Sequence, residues 1–340
     1  RTDLMVSACC LGTMTYGEQN TEAEGHEQMD YAVERGVNFF DTAELYAIPP
    51  KPDTQGSTER IVGSWMKARG NRDKVILATK IVGRSENTWY RDDVEMCRIN
   101  KAQIDEAVEK SLKRLQTDYI DLYQLHWPER STNYFGKLGY SHVEEEDAVD
   151  IQETLEALDA LVKSGKIRHV GLSNESAWGT MRYLHLAEKL GLPRMASVQN
   201  PYNLLNRSYE VGLAEVSIRE ECGLLAYSPL AMGMLSGKYL NGQMPEGSRF
   251  SLFTRFTRYS TDVAHKMTEQ YVALAREAGL DPSQMALAFV NSRRFVTANI
   301  IGATNLDQLK VNIGSIDIDL TEDILKRIKD IHQQHPYPCP

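Results

Sequence analysis

Val75-Ile76-Leu77-Ala78-Thr79-Lys80 is a short run that stays apolar almost to its end and then closes on a lysine. Five more runs share the design. Val37-Asn38-Phe39-Phe40 leads into Asp41, Ile120–Leu125 leads into His126, and Val170-Gly171-Leu172 leads into Ser173 and Asn174. Residues 195–198 end at Gln199 and Asn200, and Leu224-Leu225-Ala226 ends at Tyr227 and Ser228. Strands buried along their length need apolar residues. A polar residue recurring at the downstream end of each gathers those ends around one site. That is the layout of an α/β fold of the parallel (β/α)8 TIM-barrel kind, whose chemistry sits at the C-terminal ends of its strands.

Helical patterns fill the intervals. Residues 22–35 precede the Val37 run. Residues 101–115 set Ile104, Val108, Leu112 and Leu115 on one face, spaced three or four apart, behind Asn100 as a candidate N-cap. Residues 151–163 stripe Leu155, Leu158 and Val162, and residues 176–190 stripe Met181, Leu184, Ala187 and Leu190. Gly36, Gly165 and Gly191 stand just past helices, where chains stop them. Eight candidate strands result: 7–12, 37–41, 75–80, 120–126, 167–173, 196–199, 224–228 and 297–301. Eight units with polar ends favour a closed barrel over an open doubly wound sheet. Three segments break the rhythm, 47–57, 129–150 and 235–262. Each follows a candidate strand, so each is expected as a long loop on the catalytic face. Asp281-Pro282 reads as a helix start, and Leu320-Thr321-Glu322-Asp323 begins another.

A barrel takes roughly 250 residues before loop insertions, so the 340 residues are read as one domain, 1–340. With 42% hydrophobic and 25% charged residues, the composition is that of a soluble globular protein. A formal charge of -9 argues against nucleic acid and anionic membrane surfaces as partners. Membrane insertion is not expected, because the most apolar stretch, 224–235, is short and broken by Ser228, Pro229 and Gly233. Cys9, Cys10, Cys97, Cys222 and Cys339 form no CxxC pair and read as reduced thiols of a cytoplasmic protein. No signal peptide is visible. The chain opens on Arg1, so an upstream piece is expected to be missing. No metal site is expected: HExxH is absent, and His332, His335 and Cys339 read as a polar tail. A homo-oligomer is compatible with this composition, which does not decide the matter.

Four residues carry a candidate chemistry: Asp41, Tyr46, Lys80 and His126. A carbonyl reduced by hydride transfer needs a proton delivered to its oxygen. Tyrosine is a poor acid alone, with a pKa of about 10. An ammonium beside it stabilises the phenolate, so Lys80 is expected to lower the pKa of Tyr46. Asp41 would hold Lys80 charged, and His126 would orient the substrate oxygen. Singly, each is more often explained by packing or solvation. Their shared placement at strand ends is what joins them.

The chain resembles the aldo-keto reductases. The motifs are Asp41-Thr42-Ala43 with Tyr46, Gly165-Lys166-Ile167-Arg168 leading to Gly171-Leu172-Ser173-Asn174, Gln199-Asn200-Pro201-Tyr202-Asn203, and Tyr227-Ser228-Pro229-Leu230. The likeness runs from Gly12-Thr13-Met14 to Asn312. It implies NADP(H) as cofactor, a small-molecule aldehyde or ketone as substrate, and Tyr46 as proton donor. It also implies that Ser173, Asn174 and Gln199 hold the nicotinamide carboxamide and that Tyr227, followed by Ser228, stacks on the ring. Leu230, Gly233, Leu235 and Lys238 would follow the pyrophosphate, Arg249 would meet phosphate, and Thr304, Gln308 and Asn312 would meet the adenosine end. Many family members place a Lys or Arg after the last strand to grip the 2′-phosphate. Gly302-Ala303-Thr304-Asn305 has no charge, which leaves that task to Arg249.

Two rival functions follow from the same residues. Some proteins of this fold are nucleotide-binding regulatory subunits of potassium channels, and an intact catalytic quartet does not separate the two. The free enzyme is preferred, since no long basic or hydrophobic docking extension is visible. An aldolase using Lys80 as a Schiff base would leave the nicotinamide residues idle. No GxGxxG follows a strand, so the cofactor is not held in the Rossmann manner. Gly171-Leu172-Ser173-Asn174-Glu175 is not the GxSxG of α/β-hydrolases.

Overall fold

Phe39 and Phe40 are adjacent in sequence and end in different cores. Successive strand residues point to opposite faces. In a barrel one face is the lumen and the other is the annulus under the helices. Phe39 joins Cys10, Ala78, Leu122, Leu225, Ala298 and Ile300 in the lumen. Phe40 packs outward, its ring 5.3 Å from that of Trp65. The computed structural model describes residues 1–144 and 147–339.

The strands are β1 (Cys9–Gly12), β2 (Phe39–Asp41), β3 (Ile76–Ile81), β4 (Ile120–Leu125), β5 (Ile167–Ser173), β6 (Met195–Pro201), β7 (Gly223–Tyr227) and β8 (Val296–Ile301). Each pairs in parallel with the next, and β1 also pairs with β8, which closes the barrel. The helices are α1 (Glu22–Glu34), α2 (Ser57–Arg69), α3 (Lys101–Leu115), α4 (Ile151–Lys163), α5 (Ala177–Leu190), α6 (Leu213–Arg219), α7 (Arg249–Leu252), α8 (Asp262–Glu277), α9 (Pro282–Asn291), α10 (Leu306–Gly314) and α11 (Glu322–Gln334).

Side-chain caps start most of these helices. Thr21 and Glu24 form a reciprocal capping box at α1, and Asn100, Ser176 and Asp281 accept from backbone N–H groups of α3, α5 and α9. Each such cap is worth about 1 kcal/mol. The helix α2 has none. It starts at Gly56 in the left-handed region with no side-chain cap bond, so the residue after the proline-rich segment gives no start signal. Gly63 inside it is required by packing, because a Cβ there would stand 2.5 Å from the Arg114 carbonyl oxygen.

The expected loops are present, with one difference. Between β7 and α8 the chain is not bare loop. It carries the turn Ala231–Ser236 and the short helix α7, and Phe250 packs 4.5 Å from the Tyr239 ring. All five cysteines are buried free thiols. Among the described residues no helix is long and apolar enough to cross a membrane, and no cluster of His, Cys, Asp or Glu could hold a metal.

Candidate active site

The period of two that plugs the lumen also builds the site. Asp41 follows Phe39 on the lumen side of β2, Lys80 follows Ala78 on β3, and Gln124 then His126 follow Leu122 at the end of β4. Tyr227 follows Leu225 on β7. One step above the apolar plug, the same faces become polar. Lys80 pairs in register with Gln124, and Asp41 with Ala78.

Lys80 is fully buried. Its Nζ donates to Asp41 Oδ2 at 2.7 Å, to the Thr42 carbonyl oxygen at 2.7 Å, and to the Tyr46 hydroxyl at 3.5 Å. Asp41 Oδ1 accepts from Gln199 at 2.8 Å and Gln124 at 3.2 Å. The His126 ring meets the Tyr46 ring edge-on, with centroids 5.7 Å apart. Its Nδ1 is buried and has no hydrogen-bond partner among the described residues.

Burial works against the charge on Lys80, but Asp41 and Tyr46 outweigh it and hold its pKa above the usual lysine value. Burial likewise pushes the Tyr46 phenol up, and here Lys80 opposes the shift without reversing it. Lys80 lowers the Tyr46 phenol as expected, but loss of water is the larger effect, so the net shift in the folded chain is upward. His126 is held well below the usual histidine range, first by burial and then by the charge on Lys80.

These residues open onto a cavity of about 1550 Å³, above the roughly 300–1,000 Å³ of an ordinary ligand pocket. Asp41, Tyr46 and His126 line this cavity, as do Thr304, Gln308 and Asn312. Lys80 lies behind Asp41 and Tyr46 and does not line the cavity. Ser173, Asn174, Gln199, Tyr227, Ser228, Leu230, Gly233, Lys238 and Arg249 all line it. Leu235 does not: its side chain is buried in the annular core, because the Ala231–Ser236 turn points it inward.

Several of these groups are already engaged. Asn174 donates to the His126 carbonyl oxygen at 2.9 Å and accepts from the Tyr227 hydroxyl at 2.6 Å. Ser173 donates to the Gln199 carbonyl oxygen at 2.9 Å. Thr304 N donates to Gln308 Oε1 at 3.0 Å, and Asn312 donates to the Gly302 carbonyl oxygen at 3.0 Å. Gly233 has φ +93, and a Cβ there would meet Lys238 Nζ at 3.2 Å, so glycine is needed at this turn. Lys238, Arg249, Arg255 and Arg258 all line the cavity, and none pairs with a carboxylate among the described residues. Cations without a carboxylate partner, a large cavity and amide groups in its lining fit a dinucleotide with its phosphates.

These observations agree with a match of residues 8–333 to the Aldo/keto reductase family. The chain belongs to the aldo-keto reductases. Members of that family are generally NAD(P)H-dependent oxidoreductases. This aldo-keto reductase is 55% identical to Protein tas of Escherichia coli (strain K12) over 99% of its own length and 97% of that protein. It is 34% identical to the Uncharacterized oxidoreductase YrpG of Bacillus subtilis (strain 168), covering 97% of this chain and 94% of that one. It is 30% identical to a Putative voltage-gated potassium channel subunit beta of Schizosaccharomyces pombe, covering 97% and 91%.

Some residues in and behind the cavity of this aldo-keto reductase escaped the sequence reading, Gln124 among the latter. Gln124 had a signal, since it lies two residues before His126 on the lumen side of the strand. Arg255 and Arg258 had none, because they sit in irregular chain. Arg258 lies against the Tyr227 and Tyr259 hydroxyls. The loops after β2 and β4 contribute Ile48, Pro50, Phe135 and Gly136 to the cavity. Of the acidic residues 144–147, Glu144 and Asp147 do not line it: Asp147 pairs with Arg98 at 3.2 Å and is exposed, and Glu144 is exposed, while Glu145 and Glu146 lie outside the described residues.

Proposed function

We propose that this protein reduces aldehydes or ketones to alcohols with NADPH, and that Tyr46 donates the proton. The observation that carries the reading is the placement of Lys80 Nζ between Asp41 Oδ2, at 2.7 Å, and the Tyr46 hydroxyl, at 3.5 Å.

A bound nicotinamide cofactor would supply the hydride, held by Ser173, Asn174 and Gln199, by the Tyr227 ring, and by Lys238 and Arg249 at its phosphates. The rest of the chemistry belongs to this chain. Burial keeps the Tyr46 phenol protonated at neutral pH, which is the form that can give a proton. As the carbonyl oxygen gains negative charge, the proton passes to it from Tyr46. The phenolate left behind is stabilised by Lys80, whose charge Asp41 secures. His126 is neutral at neutral pH, and its ring faces the same oxygen from the side, where an imidazole N–H can orient it. Leu45, Tyr90, Trp127 and Phe135 wall this end of the cavity, which suits a flat apolar carbonyl compound.

The preference for NADPH over NADH draws on Lys238 and Arg249, since a guanidinium fork suits a phosphate monoester. The relative described as a channel subunit supports the second reading, in which the cofactor is retained and turnover is slow. Tryptophan-fluorescence titration with NADPH and with NADH, followed by cofactor oxidation against a panel of aromatic aldehydes, tests both. Repeated turnover supports the reductase. Tight binding without turnover of any aldehyde overturns it in favour of the regulatory subunit.

A further inference from the structure

Glu44 is fully buried and belongs neither to the catalytic quartet nor to the cofactor row. It stands two residues before Tyr46 in the turn after β2. Its carboxylate accepts three hydrogen bonds. Val82 N donates to Oε1 at 2.8 Å, Arg91 Nη2 donates to Oε1 at 2.6 Å, and Arg91 Nη1 donates to Oε2 at 2.8 Å. Its backbone adds two more, from Glu44 N to the Lys80 carbonyl oxygen at 3.2 Å and from Gln55 Nε2 to the Glu44 carbonyl oxygen at 2.6 Å. Arg91 is buried as well and donates to the Tyr90 carbonyl oxygen at 2.8 Å.

All but the Gln55 bond share a direction. Lys80 and Val82 flank the end of β3, and Arg91 lies on the loop that follows it. Glu44 therefore fastens the turn of Tyr46 to the strand of Lys80, and Arg91 fastens both to the segment whose Tyr90 walls the substrate end. We propose that the Glu44–Arg91 ion pair is a positioning device, which sets the separation of Tyr46 from Lys80 and keeps Tyr90 in register with them. The proposal rests on Tyr46 being the proton donor.

Stability is a poor explanation for such a pair. Taking two charges out of water costs about as much as their attraction returns, and apolar replacements of similar volume are often neutral or better. What an apolar pair lacks is direction. A guanidinium fork on a carboxylate fixes both groups in a plane. Direction matters here because Lys80 Nζ and the Tyr46 hydroxyl stand at 3.5 Å, the outer edge of a hydrogen bond. A further drift would uncouple them, and a misplacement of about 1 Å can cost on the order of a hundredfold in rate.

The test compares wild type, Tyr46→Phe, Arg91→Lys and the double variant Glu44→Leu/Arg91→Met in the full chain. Para-nitrobenzaldehyde and its alcohol serve as probes, with NADPH titration alongside. The double variant should fold and bind NADPH within about twofold of wild type, while kcat falls roughly 10- to 100-fold. In the oxidation direction, where Tyr46 must be a phenolate, its pH midpoint should move upward, because the phenolate has lost its ammonium. Arg91→Lys keeps the charge but not the fork and should fall between. A double variant with wild-type kcat and midpoint overturns the proposal. If the double variant does not fold, Arg91→Lys decides in the same way. Full activity in Tyr46→Phe would instead overturn the donor assignment, so the two failures are separable.

Discussion

Gln199 Nε2 donates to Asp41 Oδ1 at 2.8 Å, a bond that crosses the barrel lumen from β6 to β2. The same nitrogen reaches Gln124 Oε1 at 3.2 Å. The residue that resemblance assigns to the carboxamide thus also steadies the carboxylate behind Lys80. Only its Oε1 is left to accept from a ligand. Cofactor binding and proton delivery should be coupled through it. A hydrogen bond to a charged acceptor is worth about 1.5–3 kcal/mol, so Gln199→Leu should lower kcat/KM by roughly 10- to 100-fold, with kcat and cofactor affinity falling together. Ser173→Ala, which loses a bond to the Gln199 carbonyl oxygen and one accepted from Asn174 but none to Asp41, should affect affinity alone. Steady-state kinetics with fluorescence titration checks this, and an unchanged kcat in Gln199→Leu would show that Asp41 needs no such support.

Lys80→Met should cost stability as well as activity. The substitution leaves the Asp41 carboxylate buried with amide donors but no cation. Breaking a buried pair from one side costs about 3–5 kcal/mol. The double variant Asp41→Asn/Lys80→Met removes the stranded charge and should recover part of that loss. Urea unfolding measures it. Equal destabilisation in the single and double variants would mean that the lost packing of Lys80, rather than the stranded charge, dominates.

Much of this site was legible because it lies on regular elements. Apolar runs closing on a polar residue put Asp41, Lys80 and His126 at strand ends, and capping residues marked the starts of α3 and α9. The helix α2 was not legible, since Gly56 offers no side-chain cap and Gly63 interrupts its interior. The inward orientation of the Leu235 side chain was not legible, because a turn with left-handed residues decides which way it faces, and hydropathy does not. The Glu44–Arg91 pair joins residues 47 apart in sequence, with no local pattern between them. The sign of the shift at Tyr46 depends on how much water the fold removes, a tertiary quantity that residue types do not carry.

Stability should depend on pH through His126. Its pKa in the folded chain is depressed, while an unfolded histidine titrates at about 6.5. Above that value both states are neutral and the contribution is fully present. As the pH falls below it, the unfolded chain takes a proton that the folded chain refuses, and stability is lost. In His126→Gln this component vanishes. The difference in unfolding free energy between wild type and variant should therefore be flat above about pH 7 and shrink toward pH 5. A constant difference across that range would mean that His126 is not buried neutral.

Arg249→Ala should weaken NADPH far more than NADH. Arg249 lines the cavity without a carboxylate partner among the described residues, and Gly302-Ala303-Thr304-Asn305 offers no cation in its place. A charge-assisted bond lost is worth about 1.5–3 kcal/mol, or roughly 10- to 100-fold in dissociation constant. Lys238→Met should weaken both cofactors alike if it meets the pyrophosphate that they share. Fluorescence titration of the two variants with both cofactors separates these roles. Parallel losses for NADPH and NADH in Arg249→Ala would show that this guanidinium does not read the 2′-phosphate.

Tyr46→Phe is the most direct test of the mechanism. It removes one hydroxyl and almost no volume, and the ring stays in its edge-on contact with His126. General acid catalysis typically contributes about 10²–10⁴-fold, so reduction of an activated aromatic aldehyde should fall by at least that order. NADPH binding should change little, since the groups proposed to meet the cofactor stand on β5, β6, β7 and the segment beyond. The pH dependence should have opposite signs in the two directions. Because burial holds the phenol above its usual 10.0, reduction in wild type should be level through neutral and mildly alkaline pH and decline only where the phenol ionises. Alcohol oxidation needs the phenolate as base and should rise with pH over the same range. Near-normal turnover in Tyr46→Phe would remove Tyr46 as the donor. Loss of NADPH binding in that variant would assign the hydroxyl to holding the cofactor instead.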